Sequence, residues 1–181
     1  ARARAEIYGS VNNQSLGTAI QTQSSGSGSC GVSVYKDAGI ASRQGYGIRM
    51  EGAGALEITG GSIEAYENAV FACIAEGKTL EASVTGGKIL SQNGETILIE
   101  QGEDTIVPAG FVVGGTFSKI PTAYVPANCR ITENEDGTFT VIAEYTVTFQ
   151  ANGGSGAMAS TKADRETTIS LPECAYTAPD G

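Results

Sequence analysis

The chain has 181 residues, with 25 glycines, four cysteines and neither histidine nor tryptophan. Without histidine it lacks the commonest general base and the commonest neutral metal ligand, and Ser-His-Asp and Cys-His sites are excluded. A net charge of −9, from 20 acidic and 11 basic residues, repels phosphate backbones, so nucleic acid is not an expected partner.

The chain opens with Arg2 and Arg4, too small a basic cluster for a nucleic-acid arm. It starts at Ala1 rather than methionine, which hints at a removed leader and export. No apolar run reaches the roughly 20 residues that cross a bilayer, so membrane insertion is not expected. Leu16–Ile20 reads as one more, less regular coil, and Ser25-Gly26-Ser27-Gly28-Ser29 as a flexible stretch that makes no obvious cap. Ile40 is followed eight residues later by Ile48, within Gly47-Ile48-Arg49-Met50.

A phrase then recurs as Ile58-Thr59-Gly60-Gly61-Ser62-Ile63, Val84-Thr85-Gly86-Gly87-Lys88-Ile89 and Val112-Val113-Gly114-Gly115-Thr116-Phe117. The glycine pairs are 26 and 28 residues apart. A repeat of that length is one supersecondary unit that must stack on its neighbours to bury its apolar side. Each pair is followed by a second apolar segment: Ala69–Ala72, Thr96–Ile99 and Thr122–Val125. Gly45, Gly52, Gly54, Gly77, Asn93-Gly94 and Gly102 supply corners. The spacing predicts coils of a strand, a glycine corner, a second strand and another corner. Ile40, Ile63, Ile89 and Phe117 are expected to form one inward column. Ile63, Tyr66, Val70, Phe71 and Ile74 also have helical spacing, with Ser62 placed to cap and Gly77 to stop. The equivalent stretch from Ile89 to Ile99 carries Asn93-Gly94 and a β-branched run, and repeats share structure, so both read as strands.

Cys129–Thr132 and Thr138–Ile142 flank Asp136-Gly137, a strong hairpin signal. The acidic group at 133–136 lacks the ligand spacing of a calcium loop. Composition breaks near Ala143, dividing the chain into a solenoid over 1–142 and a small module over 143–181. Tyr145–Phe149 alternates as a half-buried strand, and Thr167–Leu171 reads as the next one, ended by Pro172. The loop Gln150–Gly156 lacks the Gly-Lys-Ser/Thr ending of a phosphate cradle. Cys30, Cys73, Cys129 and Cys174 form no C-x-x-C pair, so zinc is not expected. They read as small buried apolar side chains, with Cys73 and Cys129 inward on strands, although two disulfides in any of three connectivities remain the alternative.

Residues 145–181, with Val147-Thr148-Phe149-Gln150-Ala151-Asn152-Gly153-Gly154 and Leu171-Pro172-Glu173-Cys174-Ala175-Tyr176-Thr177-Ala178-Pro179-Asp180-Gly181, resemble the start of a Listeria–Bacteroides repeat, the internalin-type B-repeat. That resemblance implies a small β-grasp-like module of bacterial surface proteins. The family continues with an apolar residue and a Gly-Trp pair, so the module reads as truncated. Gly114-Gly115-Thr116-Phe117 and Asp136-Gly137-Thr138, with the Ile-Thr-Gly-Gly phrase, resemble the right-handed β-helix regions of large gut-bacterial surface proteins. The fold class expected is therefore all-β: a right-handed parallel β-helix followed by a β-hairpin and β-grasp-like module.

The resemblance carries no catalytic motif. It implies a secreted or wall-attached structural or adhesion protein, with a virion protein as the alternative location. Expected partners are carbohydrate or another surface protein, without a cofactor or metal. Tyr46 and Tyr66 occupy comparable places before their second strands and are the candidate glycan-binding rings, with Tyr35 also in the coil region. Two other readings compete. A phage or appendage subunit would assemble through open solenoid ends. A polysaccharide lyase or glycosidase would need paired carboxylates, from Glu64 and Glu67 or Glu95 and Glu100, or a base among Arg49, Lys88 and Lys119.

Overall fold

The computed structural model describes residues 2–178, so Ala1 and the last three residues of the B-repeat-like phrase lie outside the described residues. The chain winds into a parallel β-solenoid of about 4 turns. Each complete coil has three strands rather than two. The first coil holds β1 (Arg2–Ile7), β2 (Ser10–Asn13) and β3 (Ile20–Gln23). The second holds β4 (Ser29–Val34), β5 (Gly39–Ser42) and β6 (Ile48–Glu51). The third holds β7 (Gly54–Ile58), β8 (Ser62–Ala65) and β9 (Val70–Ile74). In the fourth, β10 (Leu80–Ser91) serves as both first and second strand, and β11 (Ile97–Gln101) is the third. The strand missing from the two-strand expectation is the one that precedes each glycine pair.

The core is a set of parallel columns, one residue per coil. Ile40 pairs with Ile63, Ile63 with Ile89, and Ile89 with Phe117, as the repeat spacing predicts. All four side chains are fully buried. A second column runs Ile7–Val34–Ile58–Val84–Val112, and a third runs Ile20–Ile48–Val70–Ile97. Fully burying each such side chain is worth about 1.5–3 kcal/mol. The segment from Ile63 to Ile74 is two strands, β8 and β9, with Tyr66 at the corner between them.

Buried serines hold the corner between second and third strands. Ser91 Oγ donates to Glu67 O at 2.6 Å and accepts from Gly94 N at 2.9 Å. One coil pair earlier, Ser42 Oγ donates to Gly17 O at 2.7 Å and accepts from Gly45 N at 3.2 Å. The third coil has Ala65 at this position, where the corner is one residue shorter. Ser91→Ala leaves a backbone N–H and a carbonyl without their partner, so a loss of about 1–3 kcal/mol is expected in urea denaturation.

The coils end at β12 (Val112–Phe117), which pairs parallel with β10. Its other edge is covered by β14 (Phe139–Val147), which is antiparallel to β12 and to β13 (Cys129–Glu133). The Asp136-Gly137 hairpin therefore closes the end of the core, with Val141 and Ala143 buried. Asp136 Oδ1 accepts from Thr138 Oγ1 and Thr138 N, and these bonds hold its carboxyl below the usual range.

Three expectations are corrected. Thr122–Tyr124 is a 3-10 turn, not a strand, because it lies between Pro121 and Pro126, which have no N–H to give to a ladder. The Tyr124 hydroxyl instead accepts from Ile99 N at 3.2 Å, and its ring stacks on Phe111 with centroids 5.0 Å apart. The strand after Tyr145 is β15 (Thr161–Asp164), and Thr167–Leu171 lies in no strand. Ion pairs flank this pairing: Lys162 Nζ lies 2.9 Å from Glu144, and Arg130 Nη2 lies 2.5 Å from Asp164. The cysteines are all free thiols, but they are not all buried. Cys73 faces outward between buried Ala72 and Ile74, because strand alternation decides its side, and Cys174 is also exposed. Cys30 and Cys129 are half-buried, and burial pushes the Cys129 thiol up. Ser25–Ser29 lies at a corner of the stack, where Lys78 Nζ donates to Gly26 O at 2.7 Å.

Candidate functional site

The corner between second and third strands carries both tyrosines singled out in the sequence. Its turns are stacked by backbone hydrogen bonds. Tyr66 N donates to Ser42 O at 3.1 Å, Glu67 N to Gly45 O at 3.2 Å, and Asn93 N to Tyr66 O at 2.9 Å. Gly45 must be glycine, since a Cβ would lie 2.3 Å from Gly17 O. The backbone is thus held in place, while the side chains at the tips point into solvent.

Tyr66 is 43% exposed and, with Leu16, Arg43 and Gln44, lines an open groove of ≈ 450 Å³. The groove spans three coils, so its walls come from residues far apart in sequence. An aromatic ring and an aliphatic side chain form apolar walls, and a guanidinium and an amide supply donors and an acceptor.

Tyr46 is placed differently. Its ring stacks on Phe71, with centroids 5.1 Å apart. The Arg49 guanidinium sits 5.6 Å from the Tyr46 centroid and 5.8 Å from that of Phe71, a cation–π arrangement. Phe71 lies on the outer side of β9 yet is only 8% exposed, because this pair covers it. Burial, then the charge and hydrogen bond of Glu67, raise the Tyr46 hydroxyl above its ordinary value. Tyr46 and Tyr66 therefore lie on the same corner in successive coils, and the ring that Tyr46 stacks on is Phe71. The aromatic stack between equivalent positions is Tyr8–Tyr35, with centroids 4.4 Å apart and planes 3° from parallel. The repeat could have revealed it, because Tyr8 and Tyr35 directly follow Ile7 and Val34, which pair in register.

The carboxylates weighed for catalysis have different surroundings. Glu64 is exposed on β8, and Glu95 pairs with Lys119 at 3.5 Å. Glu67 and Glu100 both act on Tyr46, while Arg49 pairs with Glu51 at 2.6 Å. Lys88 lies near Asp136 and helps hold its carboxyl down. Among the described residues no group of three or more His, Cys, Asp or Glu side chains is placed to hold a metal ion, and no helix is long and apolar enough to cross a membrane. Comparison with protein-family models, curated proteins and solved structures finds no match for this chain.

Proposed function

We propose that the chain is a non-catalytic structural and adhesion module of a bacterial surface protein, extracellular or wall-attached, and that the Tyr66 groove holds a sugar. The single observation that carries this reading is the groove itself: Tyr66, Leu16, Arg43 and Gln44 converge from three coils on a corner whose backbone is fixed. A sugar presents an apolar ring face edged with hydroxyls. The Tyr66 ring and Leu16 match the face, and Arg43 and Gln44 match the hydroxyls. The solenoid supports the mechanical part of the reading, because stacked coils with continuous core columns make a stiff spacer. The B-repeat-like residues 145–181 would serve as the connector to the rest of such a protein.

A glycan array followed by calorimetry on the strongest hit tests the reading. Tyr66→Ala is expected to weaken binding at least about tenfold, or ~1.4 kcal/mol, with an unchanged melting temperature. An array without hits, or a hit whose affinity survives both Tyr66→Ala and Arg43→Ala, would remove the sugar-binding part.

A further inference from the structure

A second concavity lies on a different face, the outer surface of the sheet formed by β1, β4, β7 and β10. Its volume is ≈ 510 Å³, and Arg2, Arg4, Lys78 and Glu81 contribute the charged groups of its lining. Glu57 pairs with Arg4, so Arg2 and Lys78 are the lining cations without an ion pair among the described residues, against the one carboxylate of Glu81, on a chain of net charge −9.

Register explains both the trough and its polarity. Arg4, Gly31, Ala55 and Glu81 face the same side in four successive coils, since Arg4 pairs with Gly31, Gly31 with Ala55 and Ala55 with Glu81. The two central positions carry almost no side chain, so the floor is backbone and methyl. Gly31 has little room for more, because a Cβ would sit 3.0 Å from Ala55 O. One wall is made by the stacked turns that carry Ser27-Gly28, Ala53 and Gly77-Lys78-Thr79. At strand spacings of about 4.8 Å, four strands give a trough roughly 14 Å across, cationic at one end and acidic at the other.

The cations retain donors. Arg4 is held in place by Ser33 through Nε and by Glu57 through Nη2, which leaves Nη1 without a partner among the described residues. Arg2 makes no ion pair among the described residues. Lys78 Nζ donates to Gly26 O at 2.7 Å and has two further N–H groups.

We propose that this trough binds a sugar bearing one carboxylate, such as a uronic acid. The carboxylate sits at the Arg2–Arg4 end, where a guanidinium offers paired donors in the plane of the anion. The hydroxyls face Ser27, Ser29, Thr79 and Glu81. Glu81 sets the specificity, because a ligand with charges along its whole length brings a second anion against it. The site is separate from the Tyr66 groove and stands without it.

Methyl β-glucuronide and methyl β-glucoside differ only in the carboxylate, and amide NMR titration of the whole chain with each is the test. The glucuronide is expected to shift Ser29, Gly31, Ala55 and Thr79 saturably and at least about tenfold more tightly than the glucoside. Added salt weakens it. Arg2→Gln, at the exposed start of β1, reduces the affinity by a similar factor, and Ala55→Leu blocks the floor. Tyr66→Ala leaves the titration unchanged, so this site and the proposed sugar groove fail independently. Equal shifts from both glycosides, no saturable shift from the glucuronide, or glucuronide binding that survives Arg2→Gln with the wild-type fold overturns the proposal.

Discussion

Gly87→Ala is expected to destabilise the solenoid by about 3 kcal/mol, read as a lower urea midpoint at unchanged slope. Two separate costs add at this position. Gly87 has φ +95, a backbone conformation that L side chains rarely adopt, so any side chain starts strained. Its Cβ would also lie 2.8 Å from Gly60 O and 3.2 Å from Ile58 Cγ2. Neither neighbour can step aside, because Gly60 and Ile58 belong to the coil beneath. The same close approach recurs along the corner: a Cβ on Gly114 would meet Thr85 O at 2.4 Å, and one on Gly61 would meet Ala38 O at 2.6 Å. Gly77 supplies the control. It has φ +64 but nothing within 4 Å of its Cβ, so Gly77→Ala incurs only the conformational cost of about 1 kcal/mol. If the two substitutions cost the same, backbone stacking at the glycine corner is not what requires the glycine pair.

The glycine pairs were legible in the sequence for this reason. A position that must be glycine in successive coils leaves a mark at the coil period, and the three pairs stand in the third coil, in the fourth and in β12, whereas the second coil carries Lys36-Asp37-Ala38 at this corner. The column Ile40–Ile63–Ile89–Phe117 follows from the same period, since one residue per coil must point inward. The strand before each glycine pair was harder to separate. In β10 the pair sits inside one continuous twelve-residue strand, so the corner there is an irregularity in the ladder rather than a break. The end of the solenoid was partly readable: Asp136-Gly137 announces the hairpin, and Pro121 and Pro126 are themselves local signals against the strand expected between them. Cys73 illustrates another limit. Its apolar character suggested burial, yet one residue of register decides which face it takes, and β9 turns it outward. The groove was half legible. Tyr66 was identifiable as an aromatic side chain at a corner, whereas Leu16, Arg43 and Gln44 join it only through stacking of coils with unequal corner lengths. The trough was the least visible, because its floor is defined by absent side chains at Gly31 and Ala55 and its charge comes from distant segments.

Phe117→Ala is expected to cost about 3–5 kcal/mol, the range for truncating a fully buried phenylalanine. Phe117 closes the column that begins at Val11 and contacts two kinds of structure. It pairs with Ile89 in the parallel stack below and with Phe139 in the antiparallel hairpin above. Its ring also extends over Gly115, where a Cβ would stand 3.1 Å from Phe117 Cζ. Truncation therefore opens a cavity at the junction between solenoid and cap, and removes the apolar surface on which β14 rests. Coils in a solenoid lean chiefly on their neighbours, so the damage is local in space even though the loss is large. Hydrogen exchange is expected to show it: amides of β12, β13 and β14 lose protection first, and those of β5 and β8 keep most of theirs. Phe117→Leu, which leaves a smaller void, is expected to cost about 1–2 kcal/mol with the same order of opening. Val11→Ala gives the comparison at the other end of the column, where the side chain is only half-buried and about 1 kcal/mol is expected. Uniform loss of protection across every coil in Phe117→Ala would show that the cap and the stack unfold as one unit, and that Phe117 is not the junction assigned to it here.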